Sequence, residues 1–429
     1  MNKKIKKIFL PILTLIIILF FFINSLIGND KLLYLKKLIN KDQKDLIKRY
    51  LFPYKLLSQQ EKIISQQEKV ISNLEEGILN KNLKLSKILL NKELNVKKNL
   101  SDIEIKITEN NFKLSNNKIL KKYSLIDSFY YGINKSSPGS GYIDFYENNL
   151  FVLSSRGILA YKKNFGENDE PFKQIKNNID SFIGFEQFIS KYKKEIRRWF
   201  SLKDIFLKKD KIFISYTEEI KQNCWNTGVI YGNINFENIK FKKIFLSEEC
   251  VHEFDNIDNE FNAHQSGGRI TNFDDDHILL SIGDYRSRHL SQNKKSINGK
   301  ILKININNSD YEIISMGHRN PQGLYFDKQN EFILETEHGP NGGDEINLIE
   351  IDKIKDDEIQ NFGWAIVSDG DHYGGRIEGK TDKKYEKYPL YKSHSEHGFI
   401  EPIKSFVPSI GISEIVKIGK NKYVVSSLK

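Results

Sequence analysis

The sequence predicts an all-β fold, a β-propeller of radially repeated antiparallel sheets, preceded by an N-terminal transmembrane helix and a helical stalk. From about Tyr123 a polar turn followed by alternating apolar residues recurs, at residues 149–153, 211–215, 277–281, 331–335 and 422–426. Most copies lead into a second such run, as at 299–304 and 345–349. Short hairpins repeated over so long a stretch suit a ring in which each sheet covers the edge of the next. Their uneven spacing implies large loops between sheets, and a pair of sheets packed as a sandwich is the alternative fold.

The anchor rests on residues 8–27, which carry no charge and follow Lys3, Lys4, Lys6 and Lys7. At about 1.5 Å per residue such a helix crosses a ~30 Å hydrocarbon layer, with its basic flank kept in the cytoplasm. Residues 20–26 offer no Ala-x-Ala-like cleavage site, so residues 1–28 read as an uncleaved anchor. The domain that follows is then expected on the extracytoplasmic, periplasmic side. In the stalk, residues 29–122, Gln59-Gln60-Glu61-Lys62-Ile63-Ile64-Ser65 is followed at once by Gln66-Gln67-Glu68-Lys69-Val70-Ile71-Ser72. Leu57, Ile64, Ile71 and Ile78 keep a seven-residue register, as in a short coiled-coil seam through which the chain could self-associate. A solvated helix without a partner is the plain alternative.

Charge sets the stalk apart from the remainder. Residues 1–122 hold 25 Lys+Arg against 11 Asp+Glu, leaving 41 against 45 for residues 123–429, the propeller domain. A near-neutral folded domain lacks the basic face that nucleic-acid binding needs. Cys224 and Cys250 each sit near a predicted strand on the oxidising side of the membrane, and either a disulfide clip or two buried thiols is compatible with that placement.

Polar residues gather in loops broken by Gly and Pro, where sites are commonly built. All nine histidines lie between His252 and His397. His264 stands directly ahead of a strand pair, where a neutral imidazole could take a hydroxyl proton or simply serve as a surface histidine. Asp284 ends a strand, where it could orient a histidine or cap the next turn. Arg319 and Asn320 precede Pro321 in extended backbone, so the guanidinium could hold an anion or bridge two sheets. The carbonyls of Gly339 and Pro340 suit a hard cation such as calcium, or belong to a tight turn. Asp344 and Glu345 could add metal ligands or face water.

Together these stretches resemble the soluble quinoprotein glucose/aldose sugar dehydrogenases of the glucose/sorbosone dehydrogenase family. The matching motifs are His264-Gln265-Ser266-Gly267-Gly268-Arg269, Ile282-Gly283-Asp284, Asn298-Gly299-Lys300-Ile301-Leu302 and Gly317-His318-Arg319-Asn320-Pro321-Gln322-Gly323. Glu337-His338-Gly339-Pro340-Asn341, Asp344-Glu345-Ile346-Asn347-Leu348, Asn361-Phe362-Gly363-Trp364 and Phe406-Val407-Pro408-Ser409-Ile410 continue the series in order. The resemblance implies a six-bladed propeller, with its last blade incomplete at Lys429, that uses pyrroloquinoline quinone (PQQ) and calcium. It implies that His264 removes the anomeric proton of an aldose sugar while hydride passes to the quinone and on to an unnamed electron acceptor. Arg319 would stabilise charge on the reduced cofactor, and Asp284 would orient His264. Asn320, Gln322, Phe406 and Lys429 would line the cofactor, and Gly339 and Pro340, with Glu345 nearby, would hold calcium. The pattern departs at Ala263, where glucose-oxidising members carry a carboxylate, and at Phe406, where Trp is usual. A non-catalytic propeller that binds a glycan or protein partner at the cell envelope is the rival reading.

Overall fold

The computed structural model describes residues 106–114, 118–126, 141–154, 157–166, 170–183, 199–354, 359–373 and 382–428, together with scattered positions between 65 and 81. The chain divides into two compact units, Met1–Lys81 and Asn82–Lys429. In the first, the described positions Ser65, Gln66, Gln67, Val70, Asn73, Leu74, Gly77 and Lys81 are helical and exposed. The expected anchor and the seam residues Leu57, Ile64, Ile71 and Ile78 lie outside the described residues, as does most of the helical pattern near 188–200. Among the described residues, no helix is long and apolar enough to cross a membrane.

Among the described residues of the second unit the first element is a β-hairpin, β1 (Lys106–Lys113) with β2 (Ile119–Ile126), where residues up to 122 were expected to be helical stalk, and that expectation is corrected. Apolar residues at 105 and 107, and again at 123 and 125, alternate at period two around the turn-forming Ser115-Asn116-Asn117. That local pattern favours a hairpin over a continued helix.

Four antiparallel sheets and a closing hairpin follow in chain order. The first contains β3 (Gly141–Tyr146), β4 (Asn149–Ser154), β5 (Leu159–Lys162) and β6 (Lys173–Asn177). The second contains β7 (Leu202–Lys208), β8 (Lys211–Lys221) and β9 (Cys224–Asn233). Of the short strands after it, β10 (Asn238–Ile239) adds in parallel to β6, while β11 (Lys242–Phe245) and β12 (Val251–His252) both pair with β9. Cys224 is disulfide-bonded to Cys250 with a Cα–Cα distance of 5.3 Å, clipping the start of β9 to the approach to β12. The third sheet is β13 (Gly267–Asn272), β14 (His277–Ile282), β15 (Lys300–Asn305) and β16 (Tyr311–Met316). The fourth is β17 (Pro321–Asp327), β18 (Phe332–Glu337) and β19 (Asp344–Glu350). β20 (Gln360–Asn361) joins β16 in parallel and β21 (Lys404–Phe406) joins β19. Finally, β22 (Ile412–Gly419) pairs with β23 (Lys422–Ser427).

Middle strands of the sheets are buried on both faces, which is why they read as continuous apolar runs rather than alternating ones. Ile212, Phe213 and Ile214 of β8, and Ile278, Leu279 and Leu280 of β14, all have zero exposure. One core cluster runs through the first three sheets, and a second joins Leu279, Ile301 and Ile314 of the third to Leu324, Ile333 and Ile349 of the fourth.

The leading strands β3, β7, β13, β17 and β22 carry the polar ties between sheets. Tyr142 donates to Leu202 O at 2.9 Å and Leu207 N to Asp144 Oδ2 at 2.6 Å, joining β3 to β7. A bulge in β13 between Gly267 and Ile270 then turns Arg269 across to its neighbours. Glycine is required there: Gly268 has φ +109, and a Cβ would come within 2.4 Å of Lys203 Cβ. Arg269 Nη1 contacts Asp204 Oδ1 at 2.8 Å and Glu414 Oε2 at 2.7 Å, while its Nε donates to Gln322 O at 3.0 Å. One side chain of the third sheet thereby reaches the second, fourth and fifth.

Candidate functional site

Antiparallel pairing returns the loops before β13, after β14, between β16 and β17, and between β18 and β19 to one end of the sheets. Main-chain hydrogen bonds stitch them together there. Tyr285 N donates to Gln265 O at 3.0 Å, Asp284 N to Arg319 O at 2.9 Å, His338 N to Asn320 O at 3.1 Å and Trp364 N to Gly317 O at 3.0 Å. The candidate residues on these loops are therefore neighbours by construction rather than by chance of side-chain reach.

Arg319 is the centre of the group. The residue is 5% exposed, and its Nη1 donates to His338 O at 2.7 Å and Gly339 O at 2.5 Å. Its Cζ lies 5.5 Å from the Trp364 ring and 5.7 Å from the Tyr373 ring. Burial pulls its pKa down, opposed by the nearby Asp284 carboxylate. Asp284 is fully buried; Oδ2 accepts from Trp364 Nε1 at 2.8 Å and Oδ1 from Arg286 N at 2.8 Å. Burial raises its pKa, with Arg319 and Arg288 working against that rise.

Gln265 connects the acid to the arginine. With its amide oriented by the surrounding donors and acceptors, Nε2 donates to Asp284 Oδ1 at 3.0 Å. Oε1 then accepts from Arg319 Nη2 at 2.7 Å and Arg286 Nε at 3.1 Å. His264, the next residue back along the chain, is half-buried, with its amide bonded to Asn262 Oδ1 at 2.9 Å and its ring 5.5 Å from that of Trp199. The hydrogen bonds of Asp284 thus go to Trp364, Arg286 and Gln265, and its link to His264 runs through Gln265. Asn320 Oδ1 accepts from Gly267 N at 3.2 Å and Gln322 Nε2 at 2.9 Å, so these two expected cofactor residues form one small network.

The expected metal residues divide. Gly339 O accepts from Arg319, and Pro340 O accepts at longer range from Gly343 N at 3.3 Å and Ser409 Oγ at 3.5 Å. Asp344 is committed to the backbone: Oδ1 takes Gly339 N, and Oδ2 takes the amides of Ile410, Gly411 and Ile412. Glu345 is buried opposite Glu337 in the β18–β19 ladder, and burial together with the Glu337 charge raises its pKa well above the ordinary carboxylate range. Phe406 is half-buried at the end of β21, paired with Asp344. Lys429 lies outside the described residues.

Three residues of the site escape single-position reading. Gln265 and Trp364 fall within the recurrent motifs, yet their pairing with Asp284 comes from the approach of segments 80 residues apart for Trp364. Tyr373, which faces Arg319, carries no local signal at all.

Residues 200–425 match the family model described as Glucose / Sorbosone dehydrogenase. The chain is 26% identical over 186 residues to aldose sugar dehydrogenase YliI of Escherichia coli, covering 40% of this chain and 46% of that protein. It is 33% identical over 135 residues to quinoprotein glucose dehydrogenase B of Acinetobacter calcoaceticus, covering 24% and 26%. Among solved structures, the apo soluble aldose sugar dehydrogenase of Escherichia coli aligns with TM-score 0.48 and 19% identity, over 67% of this chain and 80% of that one. The matches span under half the length of the curated relatives.

Proposed function

From the premise that the chain belongs to the glucose/sorbosone dehydrogenase family, we propose that it is a quinoprotein oxidoreductase acting on the anomeric hydroxyl of an aldose sugar. The observation that carries this reading is the buried Arg319 guanidinium, faced by two aromatic rings and bonded, among the described residues, to carbonyls and an amide, next to the His264 loop. A desolvated cation near Asp284 but, among the described residues, in direct ion-pair contact with no carboxylate suits a planar, polyanionic ligand such as PQQ. Calcium fits less openly, since Gly339 O already accepts from Arg319 and has one lone pair left for an ion.

In this reading PQQ would be held by Arg319, Asn320, Gln322, Phe406 and Lys429, and calcium by the carbonyls of Gly339 and Pro340 with Glu345 nearby. When bound, the quinone supplies the two-electron acceptor for hydride, chemistry that no side chain here can provide. His264 takes the proton of the sugar hydroxyl. Arg319 stabilises negative charge at the site, and burial strengthens that effect. Gln265, fixed by Asp284 and Arg319, holds the loop that presents His264. Ala263 leaves the identity of the aldose to be found by assay.

The wider expectations extend this reading. The consecutive sheets, tied through their leading strands, support a six-bladed ring. The Cys224–Cys250 bond supports an extracytoplasmic domain behind a membrane anchor, because disulfides persist in oxidising compartments. Self-association through the stalk and delivery to a separate electron acceptor complete the proposal. One observation favours the rival reading of a non-catalytic propeller binding a glycan or protein: Arg319 already occupies the Gly339 carbonyl. Reconstitution decides between them. The full chain given PQQ and calcium should show aldose-dependent dye reduction that is lost in His264→Ala, and failure to bind PQQ in a titration would remove the enzyme reading.

A further inference from the structure

Beneath the Arg319–Asn320 loop, β18 turns two acidic side chains to one buried face. Glu335 and Glu337 are two residues apart on the strand, and their ladder partners on β19 are Asn347 and Glu345. Glu335, Asn347 and His318 have 0% exposure, and Glu337 has 2%. Among the described residues, no lysine or arginine is ion-paired to Glu335, Glu337 or Glu345; their nearest basic groups are imidazoles.

His318 points into the space between the first two carboxylates. Its Nδ1 lies 3.7 Å from Glu335 Oε2 and 3.6 Å from Glu337 Oε1, too far for hydrogen bonds. The rest of the ring is fixed, with Nε2 at 2.8 Å from Ser315 Oγ and the ring stacked on Phe362 at 5.1 Å. With Nε2–H donating to Ser315, Nδ1 presents a lone pair toward two acids. His318 Nδ1, Glu335 Oε1 and Asn347 Oδ1 are all buried without a hydrogen-bond partner. Asn347 Nδ2 reaches Glu335 Oε2 at 3.0 Å and Glu337 Oε1 at 3.2 Å. Its one amide cannot neutralise two carboxylates, and like charges this deeply buried need a cation or a proton.

We propose that His318, Glu335 and Glu337 form a structural site for a divalent first-row transition ion of the zinc class. Their donor atoms all lie within 4.8 Å of one another. A tetrahedral ion with bonds of about 2.1 Å spaces its ligands roughly 3.4 Å apart, close to the 3.7 and 3.6 Å from His318 Nδ1 to the two carboxylates, and these three donors leave its fourth position open. One imidazole and two carboxylates form the nitrogen–oxygen set such ions prefer, whereas calcium takes about six to eight oxygens and no imidazole. Ser315 fixes the imidazole from behind, as outer partners of metal-bound histidines do. Glu337 Oε2 accepts from Arg319 N at 2.6 Å and Asn320 N at 3.3 Å, so the ion would stiffen the loop that carries both side chains.

The site is separate from the calcium carbonyls, and its test needs neither quinone nor sugar. The full chain is produced with zinc in the medium and purified in excess calcium, and its metal content is measured by native mass spectrometry and elemental analysis. One zinc per chain is expected, with an X-ray absorption spectrum showing a single imidazole among oxygen ligands. Glu335→Gln should lower zinc affinity at least about a hundredfold, since even an outer-partner change costs 10- to 100-fold. Ser315→Ala, which leaves the ligands in place, should lower it by about 10-fold or more. A wild-type chain without zinc, a spectrum lacking the imidazole, or full zinc retention in a folded Glu335→Gln chain would each overturn the assignment.

Discussion

Arg269 and Arg319 are both largely buried, yet their partners differ in kind. Arg269 meets two carboxylates and a carbonyl contributed by three other sheets, and Asp204 and Glu414 raise its pKa against the cost of burial. Arg319 meets carbonyls, an amide and two aromatic faces, and burial leaves its pKa lowered. The first charge is spent on joining sheets. In the proposed function the second would serve a ligand, and that contrast would separate a structural cation from a functional one more clearly than depth of burial does.

The comparison can be broken at either end. The largest effect is expected in Arg269→Ala, which strands Asp204 and Glu414 without their cation and should cost about 3–5 kcal/mol in chemical denaturation. A loss below about 1 kcal/mol would mean that the sheets are not held together by this group. Next, Arg319→Ala should lower turnover of the reconstituted chain by about 100- to 1000-fold. Its stability should fall by only about 1–3 kcal/mol, because two carbonyls and an amide rather than two charges lose their hydrogen-bond donor. Equal stability losses in the two variants would erase the distinction.

Acid should sharpen it further. His372, buried beside the loop that carries Tyr373, bonds through Nε2 to Tyr388 O at 2.8 Å, and burial lowers its pKa from 6.5 to about 4. Between those values the unfolded chain binds the extra proton, so its contribution is present above pH 6.5 and is lost as the pH falls toward 4. The change is about 3 kcal/mol, and His372→Gln should flatten the stability curve across that window. Hydrogen exchange should show residues 364–373 and 382–390 opening before the strands around Arg269.

The strands were legible because burial on two faces forces long apolar runs: β4, β8, β14, β18 and β23 begin within a residue of the predicted units. The hairpin at 106–126 was missed because Lys- and Asn-rich composition resembles the preceding stalk, and only a short alternation distinguishes it. In the site, Arg319, Asp284 and Gly339 are brought together as their motifs suggested. What the order of residues cannot convey is which partner each polar group takes. Asp344 could be read as a metal ligand or as facing water and is used by four backbone amides, while Glu335 and Glu337 stand at alternate positions of β18, on either side of Thr336.

The Arg269 clamp also constrains the order of assembly. Synthesis proceeds from the N-terminus, so Asp204 is available before Arg269 is made, whereas Glu414 emerges long after it. A nascent chain can dock the second sheet on the third, yet the arginine waits for β22 before its second carboxylate arrives. The β22–β23 hairpin therefore acts as a latch: a ribosome-bound chain short of residue 414 holds the sheets with half of the Arg269 charge pairing.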